Sequence, residues 1–140
     1  MRNDCLFCTI IDGEMPSYKV YEDELFYVML DRFPSCLGHT LILPKRHARN
    51  IFELNEKECA ELMPLAKRVS NALLESFEFK GLNLLQNNGE AAGQEVMHFH
   101  LHLIPRFEDD AMMIRSKRLD PSEEDFRAAL NKLEKCRLHS

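Results

Sequence analysis

The sequence predicts an α+β domain in which a five-stranded antiparallel sheet carries a long helix and two terminal helices on one face. Three observations carry that reading. His98, His100 and His102 alternate with Phe99, Leu101 and Leu103, and a period of two belongs to a strand. Asn55 followed by Glu58 opens a stretch whose apolar residues repeat at helical spacing. The order of periodicities along the chain is helix, three strands, long helix, two strands, helix. At 140 residues the chain is one domain, 1–140, with 108–140 as a C-terminal loop and helix, and it is long enough to bury a full core.

The first helix follows Asp4 as a cap, places Leu6, Phe7, Ile10 and Ile11 on one face, and stops at Gly13 and Pro16. Cys5 and Cys8 then lie one turn apart. Residues 19–22 and 25–31, rich in Tyr, Phe and Val, read as two strands about an Asp23-Glu24 turn. After a loop ending at Gly38, residues 40–43 form a third strand closed by Pro44. The long helix starts at Asn55, buries Cys59, Leu62, Met63, Ala66, Val69 and Leu73, and is interrupted by Pro64. A strand at 82–86 turns through Asn87-Asn88-Gly89 toward the histidine strand. Asp120-Pro121-Ser122-Glu123 opens the last helix, with proline in its first turn and Phe126, Ala129, Leu130 and Leu133 as its apolar stripe.

On the histidine strand, successive side chains point to opposite faces, so the three imidazoles share one face and Phe99, Leu101 and Leu103 share the other. Burying a row of imidazoles without partners costs about 1 to 3 kcal/mol for each unpaired group. That face therefore meets metal, water or ligand.

Composition narrows the partners. A net charge of -5 and a pI near 5.7 argue against a nucleic-acid duplex, which needs a concentrated basic surface. The cluster Lys45-Arg46-His47 with Arg49 is too small to reverse that, and apart from His47 it reads as a solvated strand end. No run approaches the roughly 18 apolar residues that cross a bilayer, and the first residues lead into no apolar signal segment, so the expected location is cytosolic, away from membranes. Five cysteines, an odd number, suit thiols or a metal better than a disulfide framework. Cys5-x-x-Cys8 has the spacing of a zinc thiolate pair, or is two reduced thiols; one such pair does not fill a tetrahedral site.

The block His98-Phe99-His100-Leu101-His102-Leu103-Ile104, preceded by Gly93-Gln94, resembles the signature of the histidine triad (HIT) nucleotide hydrolases and transferases. Asp31-Arg32-Phe33-Pro34 and Gly38-His39-Thr40-Leu41-Ile42-Leu43-Pro44-Lys45 resemble the family's other recurrent block, so the likeness spans roughly residues 4–107.

That resemblance implies a homodimer whose sheets join across a two-fold, a purine nucleotide substrate and no organic cofactor. It assigns His100 as the nucleophile forming a nucleotidyl intermediate at the α-phosphate, with His102 hydrogen-bonding the phosphoryl oxygens and, if protonated, offsetting their charge. Such a nucleophile is plausible chemistry, because imidazole is largely neutral at pH 7. Nucleotide contacts are implied for Asp31 and Asn87, for Gly93 with the backbone amides of Gln94 and Glu95, and for the apolar wall of Leu6, Phe7 and Ile10. The matching histidine to His39 lies close to the site in relatives. Zinc-bearing members imply a structural Zn2+ on Cys5, Cys8, His47 and His98. At Glu95 the sequence departs from relatives that carry Ser or Thr, and an ionised carboxylate donates no hydrogen bond. Two other functions compete: a catalytically silent nucleotide-binding regulator that does not depend on His100, and a small zinc-binding nucleic-acid module.

Overall fold

A computed structural model describes residues 4–111 and 117–136; of the expected domain, residues 1–3, 112–116 and 137–140 lie outside that description. Helix α1 (Leu6–Ile11) leads into β1 (Lys19–Glu22), β2 (Phe26–Leu30) and β3 (Thr40–Pro44), followed by α2 (Glu56–Phe77), β4 (Gly81–Leu85), β5 (Leu101–Arg106) and α3 (Glu123–Glu134). The five strands form one antiparallel sheet in the order β1-β2-β3-β5-β4. No described helix is long and apolar enough to cross a membrane.

The sheet is covered on both faces, where one had been expected. Phe26, Val28, Ile42, Phe99, Leu101 and Leu103 meet Leu65, Ala66, Val69 and Leu73 of α2. Tyr27, Met29, Leu41 and Leu43, the alternate residues of the same strands, meet Phe7, Cys8 and Ile10 of α1. Two-sided burial explains why β2 and β3 read as unbroken apolar runs instead of alternating ones.

Each strand boundary has a local cause. Asp23 Oδ1 accepts from the amides of Leu25 and Phe26 at 2.8 and 2.7 Å, which closes the β1–β2 turn. The regular pairing of β5 begins only at Leu101, yet the alternation expected from residue 98 persists in the burial of Phe99 beneath α2 and of His98 and His100 toward α1. Met29, Leu41 and His102 lie in one cross-strand row. The third histidine therefore sits on the α1 face of the sheet.

Four expectations about helices need correction. Cys5 caps α1, where Asp4 was expected, its Sγ accepting from the Cys8 amide at 3.4 Å. Helix α2 opens with the Asn55–Glu58 capping box but runs through Pro64, which is exposed and frees a carbonyl one turn earlier, at exposed Ala60, to water. Cys59 and Met63 are exposed; Leu65 takes the inward place, along with a buried acid, Glu58. Helix α3 is capped by Ser122 with Asp125, Pro121 precedes the cap, and its stripe of Phe126, Ala129, Leu130 and Leu133 is exposed among the described residues.

Candidate active site and metal centre

The metal candidate is assembled by three short segments. Helix α1 supplies Cys5 and Cys8, both buried. The chain leaving β3 supplies His47, held in place because the neighbouring Arg46 clamps buried Glu58 through Nη2–Oε1 at 2.7 Å and Nε–Oε2 at 3.2 Å. Fully buried His98 completes the set. Its Nε2 lies 2.8 Å from the Pro44 carbonyl, which only accepts, so Nε2 carries the proton and Nδ1 keeps its lone pair. That Nδ1 lies 3.3 Å from Cys5 Sγ, 3.5 Å from Cys8 Sγ and 3.2 Å from His47 Nδ1, and Cys8 Sγ to His47 Nδ1 is 3.3 Å. Tetrahedral zinc with usual bond lengths separates two nitrogens by about 3.3 Å and a sulfur from a nitrogen by about 3.5 Å. The donor set fits zinc in identity and spacing, His98 fits in tautomer as well, and the Pro44 carbonyl is the kind of outer partner that orients a ligating imidazole.

Two residues along, His100 is anchored by the opposite nitrogen. Its Nδ1 donates to the His98 carbonyl at 2.8 Å, leaving the Nε2 lone pair available. Phe7 packs edge-on against this ring, with centroids 5.0 Å apart, and against His98 at 5.9 Å. Burial pushes His100 below the ordinary histidine pKa, opposed by its bond to the His98 carbonyl and by the carboxylates of Asp31 and Glu95. His102, whose ring centroid is 4.8 Å from that of His100, is pushed down to about 4, by burial first and then by His100 and His39. At pH 7 it is therefore neutral in the protein without a bound phosphate.

The loop before the triad differs from expectation in its use of atoms. Gly93 has φ +89°, a conformation that disfavours any side chain, while a Cβ there would meet Asn87 Nδ2 at an ordinary 3.7 Å; backbone handedness, more than crowding, requires the glycine. The Gln94 amide, expected to face phosphate, donates to Gly89 O at 3.1 Å. Its buried side chain braces the loop, accepting from the Gly89 amide at 2.7 Å and donating to Arg49 O and Val96 O at 2.6 and 3.0 Å. Asn87 Nδ2 reaches Gly93 O at 3.5 Å. Glu95 is exposed and, with Asp4, Cys5, Leu6, His47, Arg49, Val96 and Met97, lines a cavity of about 560 Å³. Asp31 Oδ1 accepts from the Phe33 amide at 3.0 Å, and Oδ2 lies 3.4 Å from His39 Nε2.

A family profile described as the HIT domain matches residues 12–109. The chain belongs to the HIT family. Among solved structures, a HIT family protein from Bacillus subtilis is 39% identical, with a TM-score of 0.90 over 98% of this chain and 99% of that one. A zinc-bound histidine triad protein from Mycobacterium smegmatis is 36% identical, with a TM-score of 0.74 over 96% of this chain and 98% of that one. The adenosine 5'-monophosphoramidase of Saccharomyces cerevisiae is 40% identical over 110 residues, 79% of this chain and 67% of that protein.

Within this HIT protein, the residues expected to act together fall into two groups that share β5 and the segment before it. Cys5, Cys8, His47 and His98 converge on one point. His100, His102, Asp31, His39 and Phe7 gather beside it, whereas Ile10 belongs to the core behind α1 and Leu6 faces the neighbouring cavity. The bracing roles of Pro44, Glu58 and the Gln94 side chain were not anticipated. Of these, only Glu58 carried a signal, as the acid of the capping box that opens α2.

Proposed function

We propose that this HIT protein cleaves nucleoside phosphates at the α-phosphorus through a nucleotidyl-His100 intermediate, acting as a hydrolase or a nucleotidyl transferase. The observation that carries this reading is the anchoring of His100 Nδ1 by the His98 carbonyl at 2.8 Å, which leaves the lone pair of a neutral ring on Nε2. Nε2 attacks phosphorus, a P–N bond forms, and the leaving group departs with the electrons of its bond and takes any proton from solvent. Water then attacks phosphorus and loses a proton to solvent, the P–N bond breaks, and its electron pair returns to Nε2. His102, neutral, donates a hydrogen bond to the phosphoryl oxygens.

Around this centre, Asp31 is suited to accept from ribose hydroxyls, and Asn87, Gly93 and the Glu95 amide to contact phosphate. Zinc on Cys5, Cys8, His47 and His98 has no open coordination position, so it serves structure, tying α1 to the segment that carries His100. The similarity to an adenosine 5'-monophosphoramidase favours purine nucleotides with amine leaving groups. A homodimer through the sheet has an available edge in β4, whose Leu84 is exposed. The free cysteines accord with the cytosol.

The test is His100→Ala with adenosine phosphoramidate and dinucleoside polyphosphate substrates. Turnover should vanish while nucleotide affinity stays within about tenfold, the equivalent of one modest hydrogen bond. Wild-type protein quenched during turnover should carry an acid-labile nucleotidyl adduct on His100. Full activity of the alanine variant would end the covalent mechanism, and inactive wild type that still binds nucleotide would favour a regulatory role.

A further inference from the structure

Deepening the reading of His100 as nucleophile, on which it rests, we infer that His39 is a positioning residue that fixes the tautomer of His102. The chain of reasoning begins at a donor whose identity is not in doubt. The backbone amide of Ser35 lies 3.0 Å from His39 Nδ1, so that nitrogen accepts and carries no proton. A neutral imidazole with Nδ1 bare carries its proton on Nε2. His39 Nε2 is 2.9 Å from His102 Nδ1, too close for protons on both atoms. His102 Nδ1 is therefore the acceptor, and its one proton resides on Nε2, the nitrogen on the far side of the ring from His39.

Asp31 strengthens this assignment. Its Oδ2 lies 3.4 Å from the same His39 Nε2 and favours a proton there. Asp31, His39 and His102 also present three potential donors to a cation, yet the Ser35 amide places a proton on the nitrogen such a cation would need. Two imidazoles can meet at similar distance around a metal or along a hydrogen bond. At the cysteine cluster, the Pro44 carbonyl leaves the His98 Nδ1 lone pair facing inward; here an outer partner puts a proton between the rings. His39 is buried, and burial holds it below the ordinary histidine pKa against the opposing pull of Asp31, so the neutral form that can relay this constraint is the one present.

Three anchors thus give three consecutive strand-face histidines different outward atoms. His98 presents the bare Nδ1, His100 the bare Nε2, and His102 the protonated Nε2. Without His39, His102 is free to rotate or to adopt the tautomer with a proton on Nδ1, and it then offers a lone pair where a phosphoryl oxygen needs a donor.

The experiment uses zinc-supplemented full-length protein labelled with 15N at histidine, together with His39→Phe and His39→Gln. In wild type the His102 nitrogens should show Nε2 protonated and Nδ1 bare, a readout that requires neither a variant nor activity. His39→Phe should mix the two tautomers and lower kcat about tenfold to a hundredfold, with KM for an adenosine phosphoramidate within about threefold. His39→Gln, whose amide can donate to His102 Nδ1, should recover most of kcat and restore the tautomer. A wild-type His102 protonated at Nδ1 overturns the inference, as does equal loss in both variants or an unchanged kcat in His39→Phe. Failure of the covalent reading shows differently: no adduct on His100 in wild type, with the tautomer assignment intact.

Discussion

Replacing Arg46 by Met tests how the candidate metal site is held from outside. Glu58 is almost fully buried on the first turn of α2, and its carboxylate accepts from three donors: Arg46 Nη2 at 2.7 Å, Arg46 Nε at 3.2 Å and the Asn55 amide at 2.9 Å. The substitution leaves one of the three in place. Stranding one member of a buried pair costs about 3 to 5 kcal/mol when both are buried. Arg46 is about half exposed, at 49%, so water partly compensates and screens; the expected loss is about 2 kcal/mol, including the bond from Arg46 Nη2 to Glu53 O. Urea unfolding of zinc-loaded protein at pH 7.5 should show the midpoint fall with the slope unchanged. Because His47 is the next residue, zinc should also dissociate more readily. The double variant Arg46→Met with Glu58→Leu should regain most of the loss, short of about 1 kcal/mol for the broken capping box. An Arg46→Met midpoint equivalent to less than about 0.5 kcal/mol would refute the account of Glu58 as a clamp that depends on its partner.

Chelation of zinc should lower thermal stability and expose the triad segment to exchange, because binding energy at such a site is folding energy; active, equally stable protein shown by metal analysis to lack any metal would contradict this. His102 has a folded pKa of about 4, lowered by burial first, against about 6.5 unfolded, so its contribution to stability is intact above pH 6.5 and is lost as the unfolded chain takes up the proton on the way to pH 4. At pH 5 relative to pH 8 that is about 1 kcal/mol after allowing for partial exposure, and His102→Asn should flatten the dependence of the urea midpoint by that amount, a parallel pair of slopes arguing otherwise. Glu95 is exposed; with its side chain in solvent only its backbone matters, whereas with the side chain turned toward the leaving group it should disfavour anionic leaving groups by up to roughly 2 kcal/mol for charges about 8 Å apart at an effective dielectric near 20, less after screening. Glu95→Ser should then improve polyphosphate cleavage selectively, and equal effects on amine and polyphosphate substrates would remove the electrostatic argument.

What the chain reveals without its structure follows from whether a feature is local. The β1–β2 turn, the Asn55–Glu58 box and the two-residue period of the triad are set by neighbours within a few positions, and each is present as read. The facing of the sheet is not local. Period-two burial on one side and unbroken apolar runs through β2 and β3 are compatible with one layer of helices or two, and it was the pairing of Tyr27, Met29, Leu41 and Leu43 with α1 that decided for two. Met63 and Leu65 differ by two positions on a helix, about half a turn, so a stripe misplaced by a fraction of a turn exchanges a buried residue for an exposed one. The four residues of the candidate metal cluster were named through the family resemblance, and the fold brings them together, but the tautomers were not legible, since each depends on a carbonyl or amide distant in sequence: Pro44 for His98 and Ser35, through His39, for His102.

That distance explains how one short segment can serve two chemistries. Residues at every second position on an extended chain share a face about 7 Å apart, so His98 can ligate while His102 remains beyond the same coordination sphere. Identical side chains acquire distinct roles only if something breaks their equivalence. Here β3 does so at both ends: the Pro44 carbonyl accepts a hydrogen bond from His98 Nε2, and His39, just before Thr40, donates one to His102 Nδ1. His100, between them, takes its direction from the backbone of its own segment. A one-residue slip of β5 against β3 would carry His102 to the α2 face and break its bond to His39, whatever the metal did. Register between these two strands, which α2 secures through Phe99, Leu101 and Leu103, is thereby a requirement of the proposed chemistry as well as of the core.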